Sequence, residues 1–325
     1  MSFLSRRAQA PENSICLLVL AMALTTVVLI TFDFSRVQAQ EQKREIISDA
    51  FTRNRKSRVQ EPLTNKRSQG QSSRAQAKAK SNRVYRLASP AMASLPLTSQ
   101  RSSLAQLGIT TWRLRPATVN DTGAESIIGE KNKTAEWIPE RVRADTKFRD
   151  GDLVRLSIES PRTGYLYVVN RDLLADGTTG EAILIYPWPN MRVDENLMRP
   201  GRIVDIPAQE DTPSYFTARP TRPDQVGEML TFIVTKSPLN LRLSEQPFRI
   251  AKAQLMLWEK MWNAQSERFE MEGGVGESWT RQERQAALRL RARQLTRDDP
   301  APQTIYRVSA SNRFAFMVNL QLKYQ

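Results

Sequence analysis

The sequence predicts an all-β fold, a β-sandwich with a helical insertion, and three stretches carry that prediction. In residues 151–187, Val154, Leu156 and Ile158 alternate with Arg155, Ser157 and Glu159, the period of two expected of a strand with one apolar face. After turn residues Pro161 and Gly164, residues 165–169 are apolar throughout, as in a central strand. Near the end of the chain, Phe314, Phe316, Val318, Leu320, Leu322 and Tyr324 occupy every second position, so one face of that strand must be core. Between these stretches, short strand-like runs recur with turn signals about every ten residues, the spacing of a sandwich or barrel and not of alternating βα units.

The N-terminal residues 1–39 read as a signal peptide. Arg6 and Arg7 form a charged start, residues 15–32 are largely apolar, and Val37-Gln38-Ala39 offers small residues at a cleavable spacing. The alternative is an uncleaved segment that anchors the chain in the inner membrane. Either way the expected location is outside the cytoplasm, periplasmic or secreted.

Residues 40–107 read as a disordered basic linker, because scattered apolar residues such as Ile46, Ile47 and Phe51 promise little buried surface against the entropy of ordering the chain. The net charge of +14 is concentrated there: residues 40–101 hold 14 Lys and Arg against 4 Asp and Glu, whereas residues 102–325 hold 31 against 28. Such a stretch is suited to anionic membranes or polymers. Its only aromatics are Phe51 and Tyr85, too few to stack on bases, so nucleic acid is not an expected partner.

The folded region is expected over residues 108–325. Residues 110–114 alternate as a first strand; residues 202–207, 215–219 and 229–235 are further strands. A helical insertion is expected at about 250–296. Leu257, Trp258, Met261, Trp262 and Phe269 fall at spacings of three, four and seven, the apolar stripe of a helix over about 250–271 that docks on the sheet. Gly273, Gly274 and Gly276 break it, and Thr280 with Glu283 has the form of a capping box opening a second helix that runs to about Leu295.

Residues 148–238 resemble a bacterial family, the domain of unknown function (DUF) 4384. The matching features are Arg149-Asp-Gly-Asp152, Gly164-Tyr-Leu-Tyr-Val-Val-Asn170, Ile183-Leu-Ile-Tyr-Pro187, Pro200-Gly201 with Ile206-Pro207, and Gly227-Glu228. Trp112-Arg-Leu-Arg115, Glu270-Met-Glu-Gly-Gly274 and Asp298-Asp-Pro-Ala-Pro302 are similar to longer exported members of acidobacterial type. The resemblance implies an immunoglobulin-like sandwich in an envelope protein, and it carries over no catalytic or binding residue.

Composition narrows the chemistry. The chain has no His, and its one Cys, Cys16, lies in the N-terminal apolar segment. Histidine bases, Ser-His-Asp triads, thiol nucleophiles and the usual zinc sites are therefore excluded from the folded region. Phosphate loops and Gly-x-Ser-x-Gly elbows are absent as well. No cofactor is expected. Tyr186 and Trp188, in Tyr-Pro-Trp-Pro at a strand end, are the candidate binding residues, as rings for a sugar or peptide; a core role for them is the competing reading. Asp172, Asp176 and Glu181 share a loop that could gather oxygen ligands for calcium, against a plain Asp-Gly hairpin turn. The expected function is a non-catalytic module binding an envelope protein or glycan. The alternative is a carboxylate-dependent hydrolase of cell-wall polymers, which requires two facing acids in a cleft.

Overall fold

The structure, a computed structural model, describes residues 47–53, 55, 104–119, 121, 125–128, 134–189, 191, 194–241, 243, 247–263, 265–281, 283–284, 294–309 and 315–325. The signal segment, most of the basic linker and Phe314 lie outside the described residues. So do the greater part of the expected second helix and residues 129–133.

Residues 47–53 form a short helix, α1. The strands then follow in order: β1 (Ala105–Pro116), β2 (Glu125–Ile128), β3 (Thr134–Val142), β4 (Lys147–Phe148), β5 (Leu153–Glu159), β6 (Gly164–Leu174), β7 (Ala182–Tyr186), β8 (Leu197–Met198), β9 (Val204–Ile206), β10 (Phe216–Thr217), β11 (Gln225–Thr235) and β12 (Phe248–Ile250). After them come α2 (Lys252–Trp262), β13 (Gln265–Glu270), β14 (Thr304–Ser309) and β15 (Ala315–Tyr324). Two sheets form. The first runs β10-β5-β1-β14-β13, with β3 also on β1, β2 on β3 and β9 on β5. The second runs β12-β7-β6-β11-β15-β4, with β8 also on β6.

The two sheets face each other across one large core. Leu107 and Ile109 of β1, Val154, Leu156 and Ile158 of β5, Leu166 and Val168 of β6, Phe232 of β11 and Val318, Leu320 and Leu322 of β15 all belong to it. These are the alternate residues that the period of two selects. The C-terminal strand pairs with β11 over nine positions, from Gly227 with Lys323 to Thr235 with Ala315, so it closes the sandwich as expected.

The other faces of both sheets are covered too. On the second sheet, Tyr167, Val169, Ile233 and Met317 pack under Leu255 and Trp258 of α2, which explains the unbroken apolar run in β6. On the first sheet the outer residues Arg155, Ser157 and Glu159 are buried, not solvated, among Asp205, Trp279 and Arg55.

Two expectations need correction. The helix ends at Trp262, with the Asn263 N–H on Glu259 O at 2.9 Å, and residues 265–270 leave it as a strand paired with β14 over six positions. Leu255 and Trp258, three apart, face the sheet; Leu257 and Met261 face outward, and Phe269 is not on the helix at all. The free edge of β14 offered β13 a ladder that the spacing of Phe269 did not reveal. Second, residues 47–55 of the linker are ordered against the sandwich. Ile47 and Phe51, one helical turn apart, pack on Phe269 and Ile305, and Arg55 is buried one turn further on.

Candidate functional site

The residues singled out from sequence do not assemble into one site. Tyr186 is 3% exposed and belongs to the core between the sheets, its hydroxyl donating to Glu195 O at 3.4 Å, so its ring is not available to a partner. It points inward because β7 alternates, with Ala182, Leu184 and Tyr186 as the buried set. Trp188 is half-buried just past the strand end, its backbone N–H donating to Met191 Sδ at 3.2 Å.

The loop holding Asp172, Asp176 and Glu181 takes the plain Asp-Gly turn, the reading set against calcium above. Asp176 Oδ1 accepts from Thr178 N (2.8 Å) and Thr178 Oγ1 (2.7 Å), closing the Asp-Gly turn in which Gly177 has φ of 82°. Those hydrogen bonds hold its carboxyl below the ordinary range. Glu181 pairs instead with Arg249 at 3.3 Å. Asp172 takes the Gln225 amide at 3.2 Å. Among the described residues no three His, Cys, Asp or Glu side chains group to hold a metal ion.

Three features stand out instead. The first is the outward face of α2. Met256, Leu257 and Met261 are 58, 49 and 46% exposed, three large apolar side chains on a rigid helix seated on the sheet by Leu255 and Trp258. Trp262 stacks on Trp258 with centroids 5.7 Å apart and an interplanar angle of 17°, stiffening the same helix. Beside it runs a groove of about 760 Å³ lined by two ion pairs, Arg171 with Glu259 at 3.1 Å and Arg249 with Glu181, and by Lys252. No aromatic residue is among the large apolar side chains left exposed in the described residues.

The second is a pocket of about 210 Å³ entering the core from one end. Following the core face of the second sheet toward that end, apolar residues give way to polar ones without a break in alternation. Leu166 and Val168 are followed by Asn170 and Asp172 on β6, Leu230 is preceded by Glu228 on β11, and Leu322 is followed by Tyr324 on β15. Glu228 Oε1 accepts from Tyr324 Oη and from Gln225 Nε2, both at 2.8 Å. Burial holds the Glu228 carboxyl above the ordinary carboxylate range, against these hydrogen bonds, and burial together with the Glu228 charge pushes the Tyr324 hydroxyl up. Glu228 is the acid on the pocket lining; Asp172 lies behind it, and the Gln225 amide nitrogen sits between the two.

The third is a buried layer of charge on the outer face of the first sheet, which the sequence reading missed. Register places Arg141 (β3), Trp112 (β1) and Arg155 (β5) side by side. The guanidinium of Arg141 lies 5.0 Å from the Trp112 ring and that of Arg155 lies 4.7 Å from Trp279, while Trp279 meets Trp112 edge-on at 5.5 Å. Three acids neutralise three arginines. Arg155 pairs with Asp205 at 2.7 Å, Arg55 with Glu159 through bonds of 2.7 and 3.0 Å, and Arg141 with Glu283. The capping box supplies the last acid: Glu283 Oε2 accepts from Thr280 N at 2.9 Å and Glu283 N donates to Thr280 Oγ1 at 3.1 Å, leaving Oε1 for Arg141. All six charged side chains are buried, so this layer works as scaffold, holding Arg55, Trp279 and Glu283 on the sheet. The signal in the sequence was Trp112 next to strand positions occupied by arginine, a cation–π pattern with no apolar alternative.

The chain matches no protein-family model, no curated protein and no solved structure. Among the described residues no helix is long and apolar enough to cross a membrane.

Proposed function

We propose that the protein is an exported, non-catalytic β-sandwich module of the bacterial envelope that binds a protein partner through the outward face of α2. The observation that carries this reading is the exposure of Met256, Leu257 and Met261 on a helix already anchored by its opposite side. Large apolar side chains held rigidly in water favour burial against another surface, and methionine adapts readily to a partner's shape. A protein is favoured over a glycan because sugar stacking calls for an exposed ring, and the exposed set holds none. Support for a non-catalytic role comes from the acids: those of the buried layer neutralise arginines, and Asp172 and Glu228 have an amide where a substrate or water would need to stand. Export is supported by the charged and apolar pattern of residues 1–39, and the basic stretch beyond adds affinity for anionic lipid or polymer. The immunoglobulin-like and DUF 4384 assignments belong to the same proposal, supported by the two-sheet architecture and the matching segments.

The test is capture from envelope fractions with the full chain and with Leu257→Lys/Met261→Lys. The partner is expected on the unaltered chain and lost from the double variant at equal helix content and melting temperature. A partner retained by the double variant overturns the assignment of α2. Release of fragments from purified cell-wall polymer, abolished by Glu228→Gln, would instead favour the hydrolase.

A further inference from the structure

Residues 47–55 meet the sandwich as a ligand meets a groove, at a surface separate from α2. Ile47, Phe51 and Arg55 fall four apart and line one side of the segment. Ile47 and Phe51, both 2% exposed, enter an apolar seat made by Phe269 of β13 and Ile305 of β14, with Met271 against it. Beneath Phe51 is Gly108 of β1, where an added Cβ would stand 3.0 Å from Phe51 Cε1. The Arg55 guanidinium enters a ring of acceptors: both Glu159 carboxylate oxygens at 2.7 and 3.0 Å, Asp299 O at 2.7 Å and Pro300 O at 3.2 Å. Arg297 closes the end of the segment, donating to Arg55 O at 3.3 Å and to Arg53 O at 3.5 Å. The outward side is polar, with Asp49 and Arg53 exposed and paired with each other at 3.2 Å.

The two halves of this contact are separable. Residues 56–103 lie between the segment and the strands that receive it. Among the described residues no strand ladder joins residues 47–55 to either sheet, so the hold runs through side chains and the Arg297 bonds. A helix as short as α1 does not persist alone and forms on docking. A vacated groove keeps Glu159 buried without its ion-pair partner, which a guanidinium from another molecule relieves. We propose that this groove is a peptide-recognition site for an amphipathic segment of the form Ile-x-x-x-Phe-x-x-x-Arg, filled here by the chain's own residues 47–55 and open to the same residues of a second copy. Every copy carries both groove and ligand, the arrangement from which segment exchange between copies arises.

The test disables the chain's own segment with Ile47→Asp/Phe51→Asp and titrates that full chain with a fluorescein-labelled peptide of residues 44–58, followed by anisotropy. Saturable binding is expected, about 100-fold or more tighter than to the unaltered chain, whose own segment occupies the groove at high effective concentration. Arg55→Met in the peptide is expected to weaken binding about tenfold or more, because the charge-assisted bonds are lost. Asp49→Ala, on the outward side, is expected to stay within about twofold. If the double variant does not fold alone, the peptide is expected to restore its folded tryptophan fluorescence. Exchange between copies is read by light scattering on the double variant, which offers a vacant groove, mixed with Glu159→Leu, which offers a segment; Glu159→Gln serves if Glu159→Leu does not fold. A joint complex that neither chain forms alone is expected. No peptide binding or recovery, an unchanged affinity for the Arg55→Met peptide, or a mixture without a joint complex overturns the proposal.

Discussion

Arg55→Met tests the ordered N-terminal segment most directly. The Arg55 side chain is fully buried; it grips Glu159 through both carboxylate oxygens and donates to Asp299 O at 2.7 Å and Pro300 O at 3.2 Å. Removing one partner of such a pair leaves the other charge buried alone, at a cost of about 3–5 kcal/mol. If the segment detaches instead, Ile47 and Phe51 return to water, at about 1.5–3 kcal/mol each, so the loss is several kcal/mol by either route. The loss also carries a pH signature. Burial already holds the Glu159 carboxyl above its ordinary value of 4.5 opposite Arg55, and without that cation it rises further. A carboxyl raised in the folded state contributes stability that is complete below its unfolded pKa and is lost as pH rises through the folded value. The deficit of Arg55→Met is therefore smallest near about pH 4 and widens toward about pH 7. Urea unfolding followed by tryptophan fluorescence, at several pH values, measures it. Arg55→Met/Glu159→Leu is expected to recover much of the loss, since it removes both charges. A single variant within about 1 kcal/mol of the parent at neutral pH, or a double variant that is simply additive, would refute the reasoning.

Other parts of the scaffold give independent outcomes. Trp279→Ala removes the ring lying against Trp112 and Arg155 and is expected to cost about 3–5 kcal/mol in unfolding free energy. Thr280→Ala breaks the capping box that aims Glu283 at Arg141; a loss of about 1 kcal/mol is expected by urea titration, and it should shrink in an Arg141→Met background. Gly227→Ala places a Cβ 2.3 Å from Leu322 O, beside the irregularity where β11 shifts register against β6, so the β11–β15 ladder must move. That variant is expected to lose about 3 kcal/mol or more, seen as a lowered urea midpoint.

The core between the sheets was legible because β5 and the second half of β15 alternate and residues 165–169 of β6 are apolar throughout. The capping box of Thr280 and Glu283 was legible because its two contacts are local. What was not legible depended on partners distant in the chain. Arg155, Ser157 and Glu159 have the composition of a solvated face, and only Asp205, Trp279 and Arg55 make them a buried one. Ile47, Phe51 and Arg55 form a stripe at intervals of four, hidden in a stretch whose overall charge reads as linker. Phe269 matched a helical interval by coincidence, and β14 decided otherwise. The pocket rim is also a product of register: Asn170, Glu228 and Tyr324 come from three strands and meet only once those strands are aligned.

The strand order has a consequence for how the chain reaches its final form. β1 holds the middle of the first sheet, yet its Ala105 pairs with Val308 of β14, and β11 waits for β15 in the same way. Neither sheet can zip shut before strands far apart in the chain have met. Such long-range pairing makes for slow closure and leaves apolar strand faces open until it is complete.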